Sequence, residues 1–356
     1  MTTTVDRRKF LTAAAGTAVT AAAAGVGGEL LISKRFRVNT STVKLAPPVS
    51  TPKPLATGTS LNIPGLSPFF TPDAQFYRVD TSLVLPVVPA SAWKLNIHGM
   101  VDHPMTITFD DLMKMPMIEH DVTLTCVSES VGGPYIGNAR WEGTLLANVL
   151  RRAGIQPGAD QIVMRDVNGM TIGVATEPVM DGRASMLAVG MNGVPLPQAH
   201  GFPVRVVVPG LYGYVSACKW VIDMEFTTFG AFNAYWVQRG WSDQALIKTE
   251  SRIDVPKLGA SLSPGKVAIA GVAWAQHRGI AAVEVNVDGT WYHAKLAAQD
   301  TIDTWRQWYY FWDATPGTHT IKVRATDQTG YTQTAVVHKT EPNGATGYHT
   351  VQVAVT

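Results

Sequence analysis

Two cysteines and a short series of cations are the residues of this chain best suited to chemistry. Cys126 ends the apolar segment TLTC and precedes a run of small and polar residues. Its thiolate could ligate a soft transition metal, pair with Cys218 in a disulfide, or fill buried space as a small hydrophobe. His200, Arg205 and Lys219, in AHGFPVRVVVPGLYGYVSACKW, could converge on an anion, or could be a satisfied histidine and two surface charges.

The segments that carry these residues predict a domain of mixed helices and strands. WKLNIHGMV alternates as a strand does, TFDDLMKM starts a helix with Thr108 as N-cap, and TLLANVLRRAGI has helical spacing up to Gly154. FPVRVVVPG is a continuous β-branched run that predicts a buried strand, and CKWVIDMEFTTF predicts another. Because strands and helices do not alternate regularly, we expect an α+β domain.

The composition of the chain changes after Pro256. Short alternating segments such as KVAIAGVAWA, AVEVNVDGTWYHAKL and HTIKVRATDQTG follow, and Asp288-Gly289 is a favourable hairpin turn. This spacing predicts an immunoglobulin-like β-sandwich. Within the 356 residues we therefore expect a linker or extended arm at 33–75, a first domain at 76–252 and the sandwich at 253–356.

The N-terminus has the pattern of an export signal. The basic and apolar stretch RRKFL, which begins at Arg7, precedes an alanine-rich run, and paired arginines in this context predict the twin-arginine route to the periplasm or another extracytoplasmic space. Residues 1–32 could be a removed signal or a retained membrane anchor. The net charge of only +2, without a basic stripe that contains aromatic residues, argues against nucleic-acid binding.

Three clusters of the first domain form a specific combination. They are FYRVDTSLVLP, TLTCVSESVGGPYIGNARW and HGFPVRVVVPG followed by KW. Together they resemble the sulfite oxidase family of molybdopterin-dependent oxidoreductases, over roughly Phe76 to the C-terminus. The resemblance implies a molybdopterin-binding catalytic domain, an immunoglobulin-like dimerisation domain and a homodimer. It also implies two-electron oxygen-atom transfer at molybdenum on a small sulfur compound, as in a sulfite oxidase or dehydrogenase.

The same resemblance implies roles for individual residues. Cys126 would donate its thiolate to molybdenum, and His200, Arg205 and Lys219 would hold the phosphate-bearing pterin. Arg78 would lie near both the metal and the substrate. The other implied positions are pterin contacts at Tyr77 and Asp80, an active-site wall at Arg140 and Trp141, and a substrate-site position at Trp241.

Three positions depart from the pattern of the sulfite-oxidising members of the family. Glu129 stands near the place of an arginine, Trp241 stands in place of a tyrosine, and Thr350 stands in place of a C-terminal arginine. A charge-assisted hydrogen bond is worth about 1.5–3 kcal/mol, so the lost cations should weaken a dianion site. We therefore expect a substrate other than sulfite, or weak sulfite binding. The cations that could compensate are Arg78, Arg239 and Lys248.

The sequence predicts that electrons leave or enter through a separate protein. It has no Cys-x-x-Cys-His haem site, and two cysteines are too few for an iron–sulfur cluster, so a cytochrome or a membrane quinone protein is the expected partner. Two alternatives stay open. One is an S-oxide reductase with the same cofactor, acting for example on oxidised methionine. The other is a non-catalytic exported binding protein with a Cys126–Cys218 disulfide and a tryptophan-rich face at Trp305, Trp308 and Trp312.

Overall fold

The computed structural model describes residues 37–356, so the predicted signal or anchor at 1–32 lies outside the described residues. Four α-helices are found in this range: α1 Phe109–Met113, α2 Leu146–Ala153, α3 Thr176–Met180 and α4 Gly213–Ser216. The first ten strands are β1 Lys94–Gly99, β2 Met105–Thr108, β3 Ile118–Thr125, β4 Ile136–Leu145, β5 Gln161–Asp166, β6 Thr171–Ala175, β7 Met186–Met191, β8 Val194–Pro195, β9 Arg205–Val207 and β10 Val221–Thr227.

These ten strands form two sheets of the first domain. One sheet has the order β2-β1-β10-β5-β6, in which β1 and β10 are parallel and the other pairs are antiparallel. The other has the order β3-β4-β7-β8, with β9 also paired to β7. The apolar faces of both sheets and the helices enclose one core, which includes the fully buried Trp93 and Trp141. The predicted mixture of helices and strands is confirmed.

Local sequence signals explain where the helices of this domain begin and end. The hydroxyl of Thr108 accepts a hydrogen bond from the N–H of Asp111, and the carboxylate of Asp111 accepts from the N–H of Thr108. Helix α2 ends at Gly154, whose φ of +67° is a left-handed conformation that glycine adopts without a Cβ clash. Both predicted helix boundaries are confirmed.

Removal of the α1 cap gives a first testable result. Thr108→Ala should lower the free energy of unfolding by about 0.5–2 kcal/mol, because it leaves an N–H at the helix start without its side-chain acceptor. Urea unfolding measures the loss. Thr108→Ser keeps the hydroxyl and should lie close to the wild type. Equal midpoints for the alanine variant and the wild type would contradict the capping role.

The second domain is a sandwich of two sheets. Its strands are β11 Glu250–Val255, β12 Ser261–Leu262, β13 Gly265–Trp274, β14 Ile280–Val287, β15 Thr290–His293, β16 Lys295–Leu296, β17 Arg306–Ala314, β18 Gly317–Asp327 and β19 Thr350–Val355. The two sheets have the orders β11-β13-β17-β16 and β12-β19-β18-β14-β15. The predicted turn joins β14 to β15, with positive φ at both Asp288 and Gly289. The predicted sandwich is confirmed.

The tryptophans considered as a ligand face lie inside this structure. Trp305, Trp308 and Trp312 are at most 8% exposed. Trp308 and Trp312 belong to the sandwich core, and Trp305 packs in the core of the first domain. They are therefore packing residues, and the alternative of an exposed tryptophan platform is wrong.

Residues 37–75 lie against both domains. Ser50 bridges to Ile118, the first residue of β3, and Leu61 donates its N–H to Gln307 Oε1 at 2.6 Å in the sandwich. The carbonyl of Phe69 accepts hydrogen bonds from Asn138 of the first domain and from Trp305. No helix within residues 37–356 combines the length and apolar character needed to cross a membrane.

Polar contacts join the sandwich to the β3 strand that leads to Cys126. Asp303 accepts from His120 Nε2 at 2.9 Å and from His277 Nδ1 at 3.0 Å. Its backbone carbonyl accepts from the N–H of Thr123. Arg252, on β11, donates to the carbonyl of Gly133 at 2.8 Å, which ties the loop after Cys126 to the sandwich. The second domain thus helps to fix the position of this loop.

Candidate active site

A cleft in the first domain collects most of the residues that the sequence singled out. Its empty space, including solvent at the mouth, is about 780 Å³. Segment 76–81, the end of β3, the β5–β6 turn and the residues from His200 to Trp220 contribute to its lining. The predicted site residues on its surface are Tyr77, Asp80, Cys126, His200, Arg205 and Lys219.

Cys126 lies at the first position after β3, in a tightly bonded loop. Its N–H donates to the carbonyl of Tyr135 at 3.0 Å, and its Sγ accepts from the N–H of Ser128 at 3.4 Å. Burial raises the pKa of the thiol, so a nearby cation such as a metal is needed to hold it as a thiolate. Cys218 lines the same cleft, and both cysteines are free thiols. The structure therefore does not contain the disulfide considered above.

Glu129 does not face the cleft, although its position in the sequence suggested that it would. Its carboxylate is buried and accepts the N–H of Tyr135, which closes the loop after Cys126. Burial raises the pKa of Glu129 to about 7, against the hydrogen bond from the N–H of Tyr135 and the charge of Arg252, which both lower it. The residue organises the loop that presents Cys126, and it is not part of the cleft wall.

Three predicted cofactor residues meet because neighbouring strands bring them together. Arg205 on β9 and Lys219 face each other across an antiparallel bridge. Gly201, at φ +110°, allows the close approach, since a Cβ there would lie 2.9 Å from Arg205 Cβ and 3.2 Å from Lys219 Cβ. His200 precedes this glycine and donates from Nε2 to the carbonyl of Asp73 at 2.9 Å. The arrangement turns three donors that are separated in sequence into one cluster.

The electrostatics of this cluster are set by burial. Burial lowers the pKa of His200 to about 4, so its ring is neutral at physiological pH. Arg205 is 5% exposed, and its guanidinium lies 4.8 Å from the ring centroid of Trp141. Arg205 Nη1 donates to the carbonyl of His200, but Arg205 Nε is buried without a partner among the described residues. A buried cationic donor without an acceptor is a site for an anionic group.

Asp80 holds two cations at the edge of the cleft. Its carboxylate is 2.5 Å from Lys219 Nζ and 2.8 Å from Arg78 Nε. Burial alone would raise the pKa of Asp80, but the hydrogen bonds from Arg78 and Lys219 bring it below its usual value. Burial lowers the pKa of Lys219 to about 8 against the opposing effect of Asp80. The side chain of Arg78 is 39% exposed, and its ion pair with Asp80 connects it to the cleft.

An aromatic wall faces the cations. Tyr77, Tyr214 and Trp236 line the cleft. Trp241 packs behind this wall, with ring centroids 5.9 Å from Tyr214 and 6.4 Å from Trp236. The predicted catalytic role of Trp241 stays a prediction, and the structure gives this residue a position that supports the wall.

Other predicted residues lie elsewhere. Arg140 forms a two-point ion pair with the buried Asp121, at 2.8 Å for each bond, and does not line the cleft. The predicted role of Arg140 in the active-site wall is wrong. Arg140 and Trp141 are neighbours on β4, so their side chains point to opposite faces of the sheet. Trp141 is fully buried beneath Arg205 and so supports the cleft from below.

The cations proposed as compensating charges also have other partners. Arg239 donates to the carbonyl of Tyr235 and lies 3.5 Å from the ring centroid of Tyr235. Lys248 Nζ donates to Asn343 and to the carbonyl of Gly344. Thr350 is exposed at the start of β19. Within residues 37–356, neither Arg239 nor Lys248 is among the residues that line the cleft.

Some lining residues lie outside the quoted motifs and gave no signal in the sequence. Asp166, Met170 and Ile172 come from β5, β6 and the turn between them.

Trp220 has a φ of +51°, which is rare for a bulky residue, and its indole donates to the carbonyl of Gln198 at 3.0 Å. Lys219 Nζ lies 4.9 Å from the centroid of this ring. The unusual backbone at Trp220 turns the chain so that both side chains reach the cleft.

Comparison with known proteins agrees with this site. The family described as "Oxidoreductase molybdopterin binding domain" matches residues 82–236, and "Bacterial Ig domain" matches residues 250–323. The chain is 32% identical over 149 residues to the uncharacterized oxidoreductase YuiH of Bacillus subtilis, covering 42% of this chain and 72% of that protein. It is 31% identical over 290 residues to the mitochondrial sulfite oxidase of Mus musculus. The chain belongs to the sulfite oxidase family of molybdopterin-dependent oxidoreductases.

The extent of these family matches differs between relatives. The mouse alignment covers 67% of this chain but 52% of the mouse protein, so the chain spans about half the length of that relative. The crystal structure of the sulfane dehydrogenase SoxCD from Paracoccus pantotrophus has the same fold, with a TM-score of 0.69 and 24% sequence identity. That match covers 81% of this chain and 84% of the other.

The residues of the cleft fit the cofactor of the family. Molybdopterin carries a phosphate and binds its metal through sulfur, so it calls for a cationic pocket and a soft protein ligand. Arg205 Nε supplies a buried donor that lacks an acceptor among the described residues, and Lys219 lies beside it. Cys126 supplies a free thiol on the same cleft.

Proposed function

We propose that this enzyme catalyses two-electron oxygen-atom transfer on a small sulfur compound, with Cys126 as the protein ligand of molybdenum. The observation that supports it most directly is the presence of the Cys126 thiol, Arg205, Lys219 and His200 on one cleft. When bound, molybdopterin supplies a metal that changes oxidation state by two and exchanges an oxygen atom with the substrate. In the oxidative direction, the sulfur compound and water give the oxygenated product, two protons and two electrons.

The residues of the chain have separate tasks in this proposal. Arg205 and Lys219 bind the phosphate-bearing pterin, and His200, as a neutral donor anchored on Asp73, keeps its ring fixed beside them. Asp80 orients Arg78 and Lys219. Tyr77, Tyr214 and Trp236, with Trp241 packed behind Tyr214 and Trp236, restrict the access of water to Cys126. Electrons pass to or from a separate redox protein, for which a cytochrome or a membrane quinone protein is the expected class.

Elemental analysis tests this function. Protein purified from cells that make the cofactor should contain close to one molybdenum per chain. Its visible absorption should change when a sulfur substrate is added in the absence of an electron acceptor, since the two electrons then stay on the enzyme. A folded sample without molybdenum or tungsten would overturn the proposal.

Export and assembly are also part of the proposal. The paired arginines at Arg7 and Arg8 support twin-arginine export to the periplasm, with residues 1–32 removed or kept as an anchor. The sandwich supports a homodimer by its likeness to the dimerisation domain of the family. When Arg7 and Arg8 are both changed to lysine, the protein should stay in the cytoplasm. Cell fractionation measures this result. Light scattering of the purified protein should give twice the chain mass of 38.3 kDa if the signal is retained.

A further inference from the structure

The turn between β13 and β14 of the sandwich, residues 275–279, reaches into the first domain. A Cβ on Gly210, in the turn that follows β9, would lie 3.0 Å from the Cβ of His277 and 3.5 Å from the carbonyl oxygen of Gln276. Gly210 has a φ of +88° and His277 one of +64°, so the two turns meet in left-handed conformations. Gln276 is fully buried. A polar side chain of the second domain is thus enclosed where the two domains meet.

The amide of Gln276 binds the end of β3. Its Nε2 donates to Thr125 Oγ1 at 2.9 Å and to the carbonyl of Thr123 at 3.1 Å. Both threonines are buried, so water does not compete for these hydrogen bonds. Thr125 is the last residue of β3, and Cys126 follows it directly. The sandwich therefore contacts the residue next to the proposed metal ligand.

Two further hydrogen bonds join the sandwich to β3 at Thr123. The N–H of Thr123 donates to the carbonyl of Asp303 at 3.0 Å, and the N–H of Trp305 donates to Thr123 Oγ1 at 2.7 Å. These two bonds act two residues before the strand ends, whereas the bond from Gln276 acts on its last residue, Thr125. The direction in which β3 presents Cys126 to the cleft therefore depends on Gln276.

Packing between the domains does not by itself require a glutamine at this position. Gln276 Oε1 is buried without a hydrogen-bond partner among residues 37–356. A buried acceptor without a donor lowers stability, and an apolar side chain of similar volume would avoid that cost. The Nε2 donors are the part of the side chain that an apolar residue cannot replace. A polar group that is kept at a cost to stability indicates a functional task at the end of β3.

We propose that Gln276 is a positioning residue for Cys126 and acts on it through Thr125. This inference rests on the proposed function, in which Cys126 ligates molybdenum. Groups that hold a metal ligand contribute to the activity of a metal site because they fix the orientation of the ligand. Without the two hydrogen bonds, the end of β3 gains freedom and the Cys126 thiol loses its fixed direction into the cleft. The sandwich thus takes part in building the metal site.

Alkylation of the two cysteines measures this positioning without the metal. The full-length chain from cells that do not make the cofactor is treated with iodoacetamide, and the peptides that contain Cys126 and Cys218 are followed by mass spectrometry. Gln276→Leu should raise the rate at Cys126 about tenfold, which corresponds to about 1.4 kcal/mol, or one to two neutral hydrogen bonds. Cys218 is the internal reference, and its rate should not change. Equal acceleration at both cysteines, or at neither, would overturn the inference.

Variants of Thr125 test the route of the effect. Thr125→Val removes the hydroxyl with little change of shape and should accelerate the alkylation of Cys126, whereas Thr125→Ser keeps the hydroxyl and should react at the wild-type rate. The double variant of Gln276→Leu and Thr125→Val should react no faster than Gln276→Leu alone, because both changes remove the same hydrogen bond. Additive effects would mean that the two residues act independently, which contradicts the proposal.

Turnover of a sulfur compound, expressed per molybdenum, tests the consequence for the loaded enzyme. Gln276→Leu and Thr125→Val should lower this turnover at least about tenfold, and Thr125→Ser should retain it. The metal content of these variants should stay close to that of the wild type. Wild-type turnover per molybdenum in both Gln276→Leu and Thr125→Val would sink the positioning role.

Gln333→Leu is the matched control for a general loss of stability. Gln333 is also a buried amide, but its hydrogen bonds go to Ser251, Ala325 and Gly347, all within the sandwich. This variant should lower the unfolding midpoint and keep the wild-type turnover per molybdenum. Equal losses of turnover in Gln333→Leu and Gln276→Leu would show a general loosening of the sandwich and refute a specific role of Gln276.

The molybdenum content of the wild type separates the two possible failures. Wild-type protein that lacks the metal would overturn the proposed function itself. Loaded wild-type enzyme, together with an unchanged rate at Cys126 in Gln276→Leu, would leave the proposed function standing and remove only the positioning role.

Discussion

Cys126→Ala is expected to lower the rate of turnover of a sulfur compound by more than about 100-fold, while the metal stays bound to the pterin that Arg205 and Lys219 hold. Changes to residues that merely support a metal ligand already cost about 10- to 100-fold, so removal of the ligand should cost more. Cys126 is buried at the end of β3 with its thiol on the cleft, and alanine keeps the small apolar side chain without the sulfur. The expected loss is measured as turnover per molybdenum, with elemental analysis to give the metal content and the unfolding midpoint as a check of the fold.

Cys218 provides the matched control. It is also a free thiol, lines the same cleft and is fully buried, but it follows a different segment of chain. Cys218→Ala should keep the wild-type turnover per molybdenum, because the loop that presents Cys126 is unchanged. Wild-type turnover per molybdenum in Cys126→Ala would show that Cys126 is not the protein ligand of the metal. Loss of turnover in both variants would place Cys218 in the same role.

Glu142→Gln is expected to make the protein more stable at pH 8 by about 1–3 kcal/mol, and to have little effect near pH 4. Glu142 is 5% exposed on β4, and one of its carboxylate oxygens has no hydrogen-bond partner among the described residues. Burial, together with the carboxylate of Glu119 opposite it on β3, raises the pKa of Glu142 from 4.5 to about 7. A neutral amide removes the cost of this buried charge.

The sign of the pH dependence follows from the two pKa values. Between pH 4.5 and about 7 the folded state keeps a proton on Glu142 that the unfolded chain releases, so the free energy of unfolding falls as pH rises through this window. Urea unfolding at several pH values measures the slope, which should be smaller in Glu142→Gln. Glu177→Gln, at an exposed carboxyl in α3, is the control and should not change it. An identical slope for Glu142→Gln and the wild type would contradict the prediction.

Interactions between residues close in sequence were predictable. Thr108 and Asp111 form the expected cap, Gly154 ends its helix, and Asp288-Gly289 makes the expected hairpin. Each depends on a few adjacent backbone groups, so distant parts of the chain alter them little. The two-domain architecture followed from the change of strand spacing after Pro256, since the period of the apolar residues records which faces are buried.

The chemical identity of the site was also determined by the sequence, because the clusters around Cys126, His200 and Lys219 are specific in combination. Only the tertiary structure decided which charges remain available there. The carboxylate of Asp80 accepts hydrogen bonds from Arg78 and Lys219. Met170 and Ile172, which no sequence motif indicated, add apolar side chains to the wall. The tertiary structure also pairs Arg140 with Asp121, away from the cleft. The free energy of a charge depends on its partners and its burial, and these are fixed by contacts between residues far apart in the chain.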